Sequence, residues 1–306
     1  METSSFRKGI FFAVAAYLLW GFLPLYWRLL IAIPSIHILS FRILLSLVFV
    51  CFILFAMKNT SWLTFYRDRR KALLLTLAAL AISFNWGVYI YAVNSEQTIE
   101  ASLGYYVTPL LSIVFGLCFF KEKLKPLQIV AFALAIAGVV TLTVFTGRLP
   151  WVSIVLAFSF GIYGVLKKTI RLSSLESLAV ETLIASPIGL LLLFTYFGAV
   201  TDSLLPPFAL RGSLAYLFYL PLFTLLMLSL CGALTSIPLY LFSQGAKLLP
   251  LSTLGFCQFL SPTLAFLTGV FIFGEYFPPR NFIAFGFIWL AAIVYIISLN
   301  TRKKKV

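Results

Sequence analysis

The charged residues of this chain are spaced so that uncharged runs of about twenty residues recur from one end to the other, the length a helix needs to cross ~30 Å of hydrocarbon. Such runs extend from Ala72 to Ser95, Ala101 to Phe120, Pro126 to Gly147, Leu149 to Leu166, Thr182 to Thr201, Leu248 to Gly274 and Asn281 to Thr301. Gly9 to Trp27 supplies another, and Ser35 to Met57 one more that only Arg42 interrupts. Only helices and closed barrels satisfy their backbone groups inside lipid, and these runs are too long and too continuously apolar for barrel strands. Composition agrees: 62% of the 306 residues are apolar and 10% charged, against roughly 25% charged in a soluble domain. That balance excludes a disordered chain, a disulfide scaffold and nearly any soluble enzyme.

Gly212 to Ala246 is uncharged but too long for one crossing, and an internal repeat divides it. A shift of 153 places Pro109 on Pro262, Gly116 on Gly269, Glu122 on Glu275 and Phe132 on Phe285. A shift of about 140 brings Trp20-Gly21 onto Phe160-Gly161 and Ser35 near Ser174. The chain therefore reads as two related halves, 1–146 and 148–300, followed by a basic cytoplasmic tail at 301–306. On this register Ala72–Ser95 maps to about Leu225–Leu248, Gly212–Thr224 becomes a loop, and the expected count is ten spans.

Five spans per half is odd, so the second half enters the membrane from the opposite side. Lys and Arg number 23 against 9 acidic residues. With the N-terminus inside, eighteen of the basic residues fall in cytoplasmic segments, Lys121, Lys167 and Lys168 among them, and four (Arg28, Arg148, Arg211 and Arg280) on the other side. This is the positive-inside bias of a multi-pass protein with both termini cytoplasmic, and it explains the net charge of +14 without nucleic acid as a partner. The expected fold is an all-α integral membrane protein of ten helices in two inverted five-helix repeats, an architecture typical of secondary transporters.

Polar residues inside spans are the candidate site, because a charge at the bilayer centre costs roughly 2.5–3.5 kcal/mol on insertion scales. Arg42, about one-third into span two, suits an anionic or carbonyl-bearing substrate; the alternative is a guanidinium bonded to carbonyls or snorkelling to the interface. Glu181 occupies the corresponding place in span seven. Asn85 and Tyr89 share a helix face beside Trp86, with Asn94 near the outer end. In spans four and nine the repeat pairs Ser102 with Gly255, Tyr105 with Gln258 and Pro109 with Pro262 along one face of each helix. The prolines free a carbonyl on the preceding turn and are expected hinges or gates; Tyr105 and Gln258 are expected cavity walls. Gln244 and Tyr240 in span eight are weaker candidates, and Trp20 a stacking surface, while Trp27 is expected to anchor at the interface. For each, helix packing or interhelical bonding is the competing reading. Ala131, Ala135 and Gly138 form a small-residue face for close packing in span five. The four cysteines (Cys51, Cys118, Cys231 and Cys257) and His37 lack metal-ligand spacing, so no metal or cofactor is expected.

The strings Asn85-Trp86, Glu100-Ala-Ser-Leu-Gly-Tyr-Tyr106, Ala157-Phe-Ser-Phe-Gly-Ile-Tyr-Gly164, Glu181-Thr182, Leu251-Ser-Thr-Leu-Gly-Phe256 and Phe287-Ile-Trp289 resemble the RarD-type permeases of the drug/metabolite transporter superfamily, built from two EamA domains. The resemblance covers almost the whole chain. It implies ten helices in a bacterial inner membrane, cytoplasmic termini and a central cavity between the halves. It names no substrate.

The expectation is a secondary transporter that exports a small metabolite or drug by alternating access, as a monomer or homodimer, with lipid, substrate and a coupling proton as partners. No GxxxxGKS loop is present for ATP drive, and Glu181 is the one acid inside a span that could carry the proton. A membrane-embedded enzyme would need HExxH, GxSxG or paired carboxylates, which are absent; a passive channel is the other alternative.

Overall fold

The structure is a computed structural model that describes residues 2–31, 33, 35–94, 98–147, 151–195, 221–274 and 279–300. Every regular element among them is helical: α1 (Glu2–Leu29), α2 (Ser35–Ala56), a 3-10 turn (Ser61–Arg67), α3 (Arg69–Asn94), α4 (Thr98–Phe120), α5 (Pro126–Thr146), α6 (Trp151–Thr169), α7 (Ser174–Thr195), α8 (Leu222–Leu248), α9 (Leu251–Gln258), α10 (Leu260–Phe271) and α11 (Asn281–Asn300). With α9 and α10 taken together, nine segments among the described residues are long and apolar enough to span a membrane, and α4 carries a shorter apolar stretch at Gly104–Phe120. Arg148, Arg211, Glu275, most of the expected loop at 212–224 and the tail at 301–306 lie outside the described residues, as do the side chains of Asn94, Glu100 and Ser102.

The helices differ from the uncharged runs where a charge finds a partner. The run in span seven begins at Thr182, yet α7 starts at Ser174 and takes in Glu176 and Glu181. Its start is set by a reciprocal capping box: Ser173 N–H donates to Glu176 Oε2 (3.1 Å) and Glu176 N–H to Ser173 Oγ (3.2 Å), closing two donors that a helix start leaves open. Glu176 also accepts from Asn59 Nδ2 (2.9 Å) and from Ser61 Oγ, tying the 3-10 turn to α7. Lys167, expected in a cytoplasmic loop, is instead in the last turn of α6 with 0% exposure, its ammonium 5.7 Å from the Tyr163 ring centre.

The run expected to form span nine as one helix is broken at Phe259. Pro262 supplies the reason: it has no N–H, and its ring crowds the carbonyl four residues back, which belongs to Gln258, the last residue of α9. Pro109 stands at the matching position of α4, which runs through it unbroken.

The chain divides into two compact units, and each draws on both sequence halves. The first holds Met1–Phe22, Gly87–Thr169 and Leu241–Val306; the second Leu23–Trp86 and Ile170–Tyr240. The main core of the first unit lies between α4, α5, α9 and α11, where Tyr106 meets Phe285 edge-on at 5.3 Å and Phe256 stacks on Tyr295 at 3.9 Å. The expected small-residue face of α5 forms this contact. Ala131 and Ala135 are fully buried, and a Cβ on Gly138 would stand 2.7 Å from Ile288 Cγ1 and 2.9 Å from the Ala284 carbonyl. In the second unit α2 packs against α7 and meets α8 closely at Gly232, where a Cβ would lie 2.3 Å from the Leu45 carbonyl oxygen; Ser46 Oγ donates to the Gly232 carbonyl at 3.3 Å. Backbones this close are how helices adhere in lipid, where the hydrophobic effect gives no drive between them.

Two residues 153 positions apart, Lys121 and Gly274, both adopt left-handed backbone (φ 51° and 67°) just beyond the ends of α4 and α10. A positive φ is strained for lysine and natural for glycine, yet the turn is of the same hand at both places.

Candidate functional site

The second unit builds a site around Arg42. α2 carries its guanidinium close to two indoles, 5.0 Å from the ring centre of Trp27 on α1 and 4.9 Å from that of Trp86 on α3. Arg42 Nε donates to Thr235 Oγ1 on α8 at 3.2 Å, and Thr235 is only 2% exposed. Four helices thus converge on one charge. Two cation–π contacts of roughly 0.5–2 kcal/mol each and one hydrogen bond to a hydroxyl, worth about 1 kcal/mol net, are of the same order as the insertion cost of an arginine. Trp27, expected at the interface, is one of the two rings beside the Arg42 charge. Next to it, Tyr26 donates to the Met227 carbonyl and lies 3.1 Å from Cys231 Sγ.

Glu181 lies in the same unit, 2% exposed, with Oε1 accepting from Ser177 Oγ at 2.5 Å one turn earlier on α7. Asn85 is half-buried beside Trp86.

The first unit gathers the other candidates into two places. At the seam of α4 with α9 and α10, Gly255 faces the Pro109 carbonyl so closely that a Cβ would be 2.7 Å from its oxygen. Tyr106 donates to the Pro262 carbonyl at 3.0 Å, and Ser112 Oγ donates to Gln258 Oε1 at 3.2 Å. The two prolines therefore share one seam, and Gln258, 7% exposed, is bonded within it. Tyr105, expected as a cavity wall, is 48% exposed and meets the Tyr89 ring edge-on at 6.1 Å. The second place is an aromatic cluster: Trp20 lies 5.6 Å from Tyr17, 5.8 Å from Phe160 and 5.7 Å from Phe242, and Tyr163 stacks on Phe242 at 5.9 Å. The Tyr17 hydroxyl is buried with no hydrogen-bond partner among the described residues, a costly condition for a polar group. Gln244 and Tyr240 are half-buried on α8.

One polar cluster in the first unit was not legible as a site. Glu122, in the turn after α4, caps α9 from a distance. Its Oε1 accepts the Leu251 N–H (2.6 Å), and its Oε2 accepts the Ser252 N–H (2.9 Å) and hydroxyl (2.7 Å). The N-cap residue of α9 is Pro250, which makes no side-chain cap of its own. Lys168 Nζ stands 3.9 Å from Glu122 Oε1, 5.2 Å from the Phe120 ring centre, and donates to the Leu249 carbonyl. A Cβ on Gly116 would lie 2.6 Å from Glu122 Oε2. The only sequence signal was that the repeat sets an acid at this place in both halves. Among the described residues no group of His, Cys, Asp and Glu could hold a metal ion.

A sequence profile of the EamA-like transporter family matches residues 7–144. The "Uncharacterized transporter YojE" of Bacillus subtilis (strain 168) is 40% identical over 305 residues, covering 97% of this chain and 96% of that protein. "Protein RarD" of Streptomyces exfoliatus is 39% identical, covering 94% and 88%, and "Protein RarD" of Escherichia coli (strain K12) 34% identical, covering 99% of each. A solved structure described only as "Crystal structure of protein" superposes with a TM-score of 0.72 at 19% identity, over 94% of this chain and 96% of that one; at that identity the likeness concerns the fold.

Proposed function

Because the chain belongs to the EamA-like transporter family, as a RarD-type permease of the drug/metabolite transporter superfamily, we propose that this multi-pass membrane protein is a secondary exporter of a small metabolite or drug, working by alternating access. In this reading ten helices form two inverted five-helix repeats, 1–146 and 148–300, in a bacterial inner membrane with both termini cytoplasmic. The observation that carries it is the near full-length similarity to proteins named as transporters, at 34–40% identity; the left-handed turns at Lys121 and Gly274, 153 residues apart, are consistent with the repeat. The profile match to 7–144, which spans one repeat, supports it as well. Inverted repeats allow one packing to be realised with the halves exchanging roles, which opens a central site to each side in turn.

The broken helix α9–α10 supports a mobile element at the seam of Pro109 and Pro262, since transporters of this kind place discontinuous helices at the substrate. Arg42, Asn85, Tyr89, Tyr105, Glu181, Gln244, Gln258 and Trp20 are the proposed substrate contacts, with Glu181 as the carrier of a coupled proton. The test is counterflow in proteoliposomes: purified protein preloaded with an unlabelled candidate compound should accumulate the labelled one transiently and saturably. Flux that stays linear with concentration would identify a channel and end the carrier reading.

A further inference from the structure

We propose that the segment joining α2 to α3, residues 57–71, is a docking surface for the phosphate headgroups of anionic lipids. The proposal needs only that the chain spans a bilayer and goes beyond the question of what it transports. The segment holds five basic residues, Lys58, Arg67, Arg69, Arg70 and Lys71, against one acid, Asp68. Asp68 is already engaged: its Oδ1 accepts the Lys71 N–H at 3.1 Å, and its Oδ2 stands 3.8 Å from the Lys71 ammonium. Glu176 of α7, the other carboxylate against the segment, accepts from Asn59, Ser61 and the Ser173 N–H. Lys58, Arg67, Arg69 and Arg70 are exposed, and none of them pairs with a carboxylate among the described residues. Arg69 and Arg70 begin α3, whose first turn holds no acid, so they oppose the helix dipole. Fixing the orientation of the chain requires only that basic residues lie on that side; four unneutralised cations in one short segment also attract anionic headgroups.

The apolar residues of the segment favour a lipid over a soluble anion. In a 3-10 helix residues three apart lie in one row, and the turn Ser61–Arg67 has three such rows. Trp62 and Phe65 form the row toward the protein, Trp62 at 9% exposure and Phe65 half-buried. Leu63 and Tyr66 form a second, 48% and 63% exposed, with Met57 at 63% shortly before them. Ser61, Thr64 and Arg67 form the third, which is exposed. At a membrane surface the row of Leu63 and Tyr66 can rest on the acyl boundary while the neighbouring cations meet phosphates. A free phosphate or an acidic peptide would use the cations alone. The bonds of Asn59 and Ser61 to Glu176 hold the turn against α7, so the surface is formed before a lipid arrives and little ordering cost remains on binding.

The experiment titrates the purified full-length protein in detergent with dioctanoyl phosphatidylglycerol or dioctanoyl phosphatidylcholine and reads bound lipid by native mass spectrometry. Phosphatidylglycerol should bind at least about tenfold more tightly, and Arg67→Gln, Arg69→Gln and Arg70→Gln together should remove most of that preference, as expected when several cations near an anionic surface are lost. The same three positions changed to lysine should keep it within about threefold. Lys121→Gln, Lys123→Gln and Lys125→Gln together remove an equal charge from the α4–α5 turn and should leave the preference intact. Leu63→Ser with Tyr66→Ser should weaken both lipids alike. Because the three arginines are exposed, the lipid-free unfolding temperature of the glutamine variant should match that of the wild type; a fall would assign them to the fold and overturn the proposal. Equal affinities, a preference unchanged by the glutamine variant or lost in the lysine variant, or an equal loss in the α4–α5 control would overturn it as well. Inorganic phosphate in tenfold excess should not displace phosphatidylglycerol; displacement would make this a site for a soluble anion and end the lipid assignment.

Discussion

Removing the Glu122 carboxylate tests whether an acid outside the helices holds the broken α9–α10 segment in place. Its two oxygens accept three hydrogen bonds, from the Leu251 and Ser252 amides and the Ser252 hydroxyl. Bonds to a charged group contribute about 1.5–3 kcal/mol each, and a carboxylate at a helix N-terminus gains up to ~2 kcal/mol from the aligned dipoles. Glu122 is 12% exposed, so water replaces part of what Glu122→Ala removes. We expect a net loss of about 3–5 kcal/mol, and about 2 kcal/mol for Glu122→Gln, which keeps one acceptor but turns an NH2 group toward a donor. At roughly 2–4 °C per kcal/mol for a chain of more than 150 residues, the alanine variant should unfold at least ~6 °C below the wild type. Thermal unfolding in detergent, followed by tryptophan fluorescence, is the assay. Gly116→Ala serves as the coupled control: its new methyl meets Glu122 Oε2 at 2.6 Å, so its cost should shrink once Glu122 is alanine. If Glu122→Ala unfolds with the wild type, or Gly116→Ala costs the same in both backgrounds, the long-range cap is not what anchors α9.

Gly232→Ala should prevent correct assembly of the second unit, because its Cβ would sit 2.3 Å from a backbone oxygen of α2 that has no room to retreat; size-exclusion chromatography would show aggregated protein. Ser173→Ala removes one arm of the α7 capping box and should lower stability by about 1 kcal/mol, measurable as a small fall in unfolding temperature with transport intact. Glu181→Gln should leave counterflow, which needs no driving gradient, while abolishing the stimulation of net flux by a pH gradient; a variant that still responds to the gradient removes Glu181 from proton coupling.

Much of the fold was legible because lipid imposes a one-dimensional rule. Span two was expected at Ser35–Met57 and α2 is Ser35–Ala56; span five at Pro126–Gly147 and α5 is Pro126–Thr146. The ends that moved are those where a charge is paired, such as α7, which begins at its capping box and buries Glu181. Arg42 was singled out from its cost in the bilayer, but its partners were not, since Thr235 lies 193 residues away and neither it nor Trp86 looks unusual in its own helix. Pro109 and Pro262 looked equivalent in the repeat; only one breaks its helix.

From the amino acids alone come the helical class and the placement of most of the spans, since the length of an apolar run is a property of neighbours along the chain. The partners of the polar groups belong to the tertiary structure. Glu122 reaches Ser252 across 130 residues, and whether such a group caps a helix, clamps a ring or stands unpartnered depends on which backbones approach closely enough to meet it.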